Sequence, residues 1–161
     1  MTPERKAASH LEETVTLTGT STAERTLSLM DELQMIAWHH ADTMGLGFDD
    51  LKHQTSLWVM TRLYIRHHQP CAAEQPFTLR TWPVAFDKRQ AYREFQLSEG
   101  DEARSNAISS WAILDADSRE MMDIAPILEP AMPDEILPGK LQFTSRAIAR
   151  LKQPQAEIPI R

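Results

Sequence analysis

Cysteine is almost missing from this 161-residue chain. Cys71 stands alone, so no internal disulfide can form, and the count fits a reducing compartment, with the cytoplasm as the expectation. Glycine is also scarce, at five residues, and none falls into G-x-G-x-x-G or G-x-x-x-x-G-K-[ST]. Loops of those kinds, which cradle phosphates with backbone N–H groups, are therefore excluded. No G-x-S-x-G elbow is present, which argues against an α/β-hydrolase. No run approaches the ~20 apolar residues that span a bilayer, so membrane insertion is not expected. The first eleven residues carry Glu4, Arg5 and Lys6 without an apolar stretch, and a signal peptide is not expected either. The pairs His39-His40 and His67-His68 lack the i, i+4 spacing of a zinc helix. Neither a metal nor a cofactor is expected.

What is present suits one folded domain. The chain is 42% hydrophobic and 25% charged, ordinary values for a globular protein. Its formal charge of −6 argues against a general nucleic-acid binder. That charge is uneven. Between Leu57 and Arg93, the basic residues Arg62, Arg66, Arg80, Lys88, Arg89 and Arg93 meet only Glu74 and Asp87, leaving the segment +4. Such a strip is either a set of solvated strand faces or a docking surface for an acidic partner.

Along the chain, residues 1–10 are polar and read as a flexible terminus. Val15 and Leu17 alternate with threonines in a first strand, and residues 19–23 read as a turn rich in Ser and Thr. The strongest helical signal covers residues 26–44. At 100° per residue, Leu29, Met30, Leu33, Ile36, Ala37, Ala41 and Met44 share one arc, widened by Leu27 and Trp38. An arc this wide predicts a helix mostly enclosed, as when a sheet curls around it. Gly45 and Gly47 supply the stop, and residues 48–54 suggest a short helical turn.

Strand signals then take over. Trp58, Met60, Arg62, Tyr64 and Arg66 alternate against Leu57, Val59, Leu63 and Ile65. A second run from Phe77 ends at Pro83. Two further runs flank Glu99-Gly100-Asp101, a hairpin turn, and another turn over residues 115–118 precedes residues 119–122. One strand, one long helix and then a run of antiparallel strands is an α+β order. The folded domain is expected over residues 11–137. A tail or linker follows over 138–161, with a short helix near 142–152.

His40 is the most conspicuous candidate for chemistry, because it falls near the middle of the apolar arc while His39 faces out. A polar side chain there must be hydrogen-bonded. It is either a satisfied core histidine or a catalyst. Gln34, at the edge of the same arc, would either donate to a carbonyl oxygen or pack. Cys71 has no sequence neighbour that marks it as an activated nucleophile. Trp58, Trp82 and Trp111 read as core or interface aromatics.

Several pieces in order resemble a known family. They are Leu33-Gln34 through Ala37, His40-Ala41, Met44-Gly45-Leu46-Gly47, Leu51, and Leu57-Trp58-Val59-Met60-Thr61-Arg62. Thr81-Trp82-Pro83, Ala91-Tyr92-Arg93-Glu94-Phe95 and Ser110-Trp111-Ala112-Ile113-Leu114-Asp115 follow. Together, over about residues 11–135, they resemble the N-terminal hotdog repeat of the acyl-acyl-carrier-protein thioesterases. The resemblance implies a hotdog fold, an antiparallel sheet wrapped around one central helix. It also implies hydrolysis of the thioester between a fatty acyl chain and its carrier, in fatty acid biosynthesis. The partner would be an acyl carrier protein, which is acidic, or a coenzyme A thioester, and pairing of hotdog units implies a homodimer. On this view His40 and Gln34 are catalytic candidates. Leu33, Ile36, Trp58 and Met60 would line the core or acyl tunnel, and Arg62, Arg66 and Arg93 would contact phosphopantetheine or the carrier. The family's acid–base residues sit in a second repeat, in a D-x-N-x-H-V-N-N-like motif that this sequence lacks. Two alternatives stay open: a non-catalytic acyl-binding module, and another hotdog enzyme such as an acyl-CoA thioesterase or dehydratase.

Overall fold

The computed structural model describes residues 9–52 and 55–131. Its elements in chain order are β1 (Leu11–Thr16), α1 (Thr22–Thr43), α2 (Phe48–Lys52), β2 (Ser56–His67), β3 (Pro76–Phe86), β4 (Ala91–Glu99), β5 (Glu102–Asp115) and α3 (Ala125–Leu128). The strands form one antiparallel sheet in the order β1-β3-β4-β5-β2. The α+β hotdog architecture expected from the sequence is the one observed. No helix among the described residues is long and apolar enough to cross a membrane.

The sheet curls around α1 because both present matching apolar surfaces. Leu29, Leu33, Ile36 and Ala37 on the helix meet Phe77 and Leu79 of β3, Phe95 and Leu97 of β4, and Ala107 of β5. Each Leu, Ile or Phe side chain among them, fully buried, contributes roughly 1.5–3 kcal/mol. A second cluster joins Met44, Leu46 and Leu51, beyond the helix, to Ile113, Ile124 and Leu128. Register shifts at Met60/Arg62, Pro83/Ala85 and Leu97/Ser98 add local twist and bend, which helps a flat ribbon close around a helix.

Several local expectations are corrected. The helix begins four residues earlier than its apolar arc, at Thr22, because Ser21 and Glu24 form a reciprocal capping box over what reads as a turn. Its other end stops at glycine as expected. Gly45, at φ +71°, donates to the Asp42 carbonyl, while Leu46 donates to that of Ala41. That pair of bonds is the Schellman arrangement, which calls for a left-handed residue. Leu27 and Trp38 are not enclosed: they are 61% and 49% exposed.

Strict alternation along β2 also fails. Trp58 and Met60 lie opposite Ile113 and Trp111, whereas after the shift at Thr61 it is Leu63 and Ile65 that lie opposite Ser109 and Ala107. Trp58, Met60, Leu63 and Ile65 therefore share the helix-facing side, and Arg62, Tyr64 and Arg66 take the other. β3 does not end at Pro83 but runs on to Phe86. Proline is tolerated there because β1 pairs only as far as Thr81, so the missing N–H has no partner strand on that side. Residues 119–122 make no strand, only a bridge from Met121 to Leu114. The tail over 138–161, with its expected helix, and residues 1–8 lie outside the described residues.

Candidate functional site

A cavity of about 680 Å³ lies under the C-terminal half of α1. The helix contributes Gln34, Ala37, Trp38 and Ala41, the turn after it Leu46, and the start of α2 Phe48. The sheet contributes Trp58, Pro83, Tyr92, Arg93 and Trp111. The turn is held over β2 by Trp58, whose Nε1 donates to the Leu46 carbonyl at 2.9 Å. Among the described residues that line this space none is Asp, Glu, His or Cys. The lining is apolar, and the volume lies within the roughly 300–1,000 Å³ of ligand pockets.

At its wall stands a buried polar chain. Arg93 faces the helix from β4, and its Nη1 donates to His40 Nδ1 at 2.9 Å and to Thr81 Oγ1 at 3.1 Å. The Thr81 hydroxyl donates in turn to the Glu94 carbonyl at 3.0 Å. A guanidinium can only donate, so Nδ1 of His40 carries the lone pair and the ring proton sits on Nε2. Burial pushes Arg93 down to about 10, which leaves it cationic at neutral pH.

The sequence-derived site residues divide into three groups. Gln34, Trp58 and Arg93 converge on the cavity. His40 is fully buried beside Arg93 and does not line the cavity; Leu33 and Ile36 are packed in the main core. Met60 faces the helix side opposite Trp111. Arg62 and Arg66 are exposed on the other face, and the Arg66 guanidinium lies 6.0 Å from the Tyr64 ring centroid. Arg93 thus parts company with the two arginines it was grouped with. Thr81, Ala41, Tyr92 and Trp111 join the site without a signal of their own in the sequence, except that Thr81 shares strand parity with Phe77 and Leu79. Among the described residues no cluster of three or more His, Cys, Asp or Glu side chains is arranged to hold a metal.

Comparison with known proteins fits this geometry. No protein of curated function matches the chain. Among solved structures, a protein of Lactobacillus plantarum described as an oleoyl thioesterase superposes with a TM-score of 0.70 at 22% identity, covering 78% of this chain and 50% of its own. The 12:0-ACP thioesterase of Umbellularia californica gives 0.69 at 16% identity, over 91% of this chain and 61% of its own. The DHNA-CoA thioesterase of Staphylococcus aureus gives 0.67 at 10% identity, over 76% of this chain and 87% of its own. At these identities the likeness shows the fold. The chain spans about half to three-fifths of the length of the first and second of these proteins. The model of the acyl-ACP thioesterase N-terminal domain matches residues 14–129, and the chain belongs to that family.

Proposed function

We propose that this chain is the acyl-holding hotdog unit of a thioesterase that hydrolyses fatty acyl thioesters of acyl carrier protein, in the cytoplasm and in fatty acid biosynthesis. The observation that carries the reading is the apolar cavity under α1 whose described lining offers no carboxylate, histidine or thiol. Such a space suits an alkyl chain and lacks a group to activate water. The general base therefore comes from a second hotdog unit, either a partner copy or a further repeat. Exposed Met35, Trp38, Phe48 and Leu57 surround the cavity and form the apolar surface that such a unit would cover. Arg62 and Arg66, exposed on β2, remain candidates for contact with the acidic carrier.

The test is release of free thiol from octanoyl- and palmitoyl-carrier protein by the 161-residue chain, with binding of the same substrates measured in parallel. The expected result is retention of acyl-carrier protein, with turnover above background if a partner copy supplies the base and none if a further repeat does. Turnover that disappears in a folded His40→Ala protein would instead make the chain self-sufficient and assign the chemistry to α1. Failure to bind either substrate would remove the acyl reading altogether.

A further inference from the structure

An apolar cavity with a cation in its wall is an unusual container for a plain alkyl chain. Among the described residues that line the cavity, Arg93 is the sole charged side chain. It is 9% exposed, so bulk water scarcely reaches it. Both Nη1 hydrogens are used, one on the His40 ring nitrogen and one on the Thr81 hydroxyl. Neither acceptor is an anion. Among the described residues no carboxylate forms an ion pair with Arg93, and Nε and Nη2 make no hydrogen bond. Three N–H donors of a buried guanidinium are thus left for whatever fills the cavity that this side chain lines.

We propose that the cavity recognises an alkyl chain ending in a carboxylate, which Arg93 grips through Nε and Nη2. This rests on the acyl-cavity reading and adds the polar end of the ligand to it. A hydrocarbon that displaced water from the cavity would leave these donors dry, and desolvated donors of a cation are costly. A carboxylate replaces that water with two charge-assisted bonds in the planar fork that guanidinium favours. A thioester carbonyl offers one neutral acceptor in the same place and is the poorer match. Two sources share the carboxylate chemistry: a free fatty acid, which is the product of the proposed reaction, and an acyl thioester carrying a carboxylate at its far end.

The experiment is calorimetric titration of the 161-residue chain with dodecanoate and 1-dodecanol, which share a chain length and differ in charge. Dodecanoate is expected to bind on the order of tenfold more tightly. That preference is expected to vanish in Arg93→Met and to survive in part in Arg93→Lys, each checked for folding by its melting transition. Should Arg93→Met not fold, the two ligands on the unaltered chain decide the matter alone. Equal affinity for acid and alcohol, or an undiminished preference in folded Arg93→Met, overturns the proposal and leaves the acyl cavity standing. Binding of neither ligand overturns both. Titration with dodecanoyl- and 11-carboxyundecanoyl-carrier protein then separates the sources. Tighter binding of the carboxylated thioester places the group at the far end of the chain, and equal binding assigns the site to the free acid.

Discussion

His67 shows how one side chain ties three elements together. Its Nδ1 meets the Ser105 hydroxyl of β5 at 2.7 Å and its Nε2 meets the Thr26 hydroxyl of α1 at 3.1 Å. Burial first, and the neighbouring His68 second, hold its pKa below the ordinary 6.5. The unfolded chain therefore takes up a proton at a higher pH than the folded one. The resulting stability is fully present above pH 6.5 and is lost as pH falls from there through the lower folded value. Melting temperature should decline over that interval, and His67→Gln should flatten the decline. An identical slope in the variant would show that His67 is not responsible. None of this is visible in the sequence, where His67-His68 reads only as a pair without the spacing of a zinc helix. The partners come from residues 41 and 38 positions away, and only folding brings them together.

At the scale of elements, α1 owes its beginning to four residues. Ser21 accepts from the Glu24 backbone at 3.1 Å, and the Glu24 carboxylate takes the backbone N–H groups of Thr20 and Ser21. Ser21→Ala should cost about 1 kcal/mol in urea-induced unfolding, the usual worth of an N-cap. A loss indistinguishable from zero would mean that tertiary packing alone sets the start of the helix. The Ser-Thr-Ala-Glu spacing that encodes this cap was legible, but the surrounding Ser and Thr residues suggested a turn more strongly. The extra residue in β2 is different. Thr61 looks like any other member of an alternating strand, and its hydroxyl's contact with the Ser110 carbonyl at 3.1 Å exists only across the sheet. Sequence alternation therefore put Trp58 and Met60 with the arginines instead of with Leu63 and Ile65.

For the whole molecule, the exposed apolar flank of α1 matters most. Leu27, Met35 and Trp38 are exposed there, large apolar residues that water does not favour. With a partner copy as the covering unit, Trp38→Glu combined with Met35→Glu should convert a dimer to a monomer in sedimentation equilibrium. A chain whose mass is unchanged by the double substitution would rule out this face as the contact. Periodicity finds the wide apolar arc, but its width implies an enclosure by the chain's own sheet that is only partial. Part of it serves the internal core, through Leu29, Leu33 and Ile36, and part is left outward.

The sequence by itself determined the order of α1 and the five strands, the glycine stop of α1, the α+β class and the family. These depend on local chemistry: hydrophobic period, turn residues, and short motifs in a fixed order. It also marked His40 as a polar residue on a buried face, which its full burial beside Arg93 accounts for. Only the tertiary structure decided that Arg93 turns inward to a cavity while Arg62 and Arg66 turn outward. The physical reason is register. The face a strand residue occupies depends on how many residues its neighbours have inserted upstream, and the pairing of β2, β3 and β4 shifts at bulges that no local signal announces.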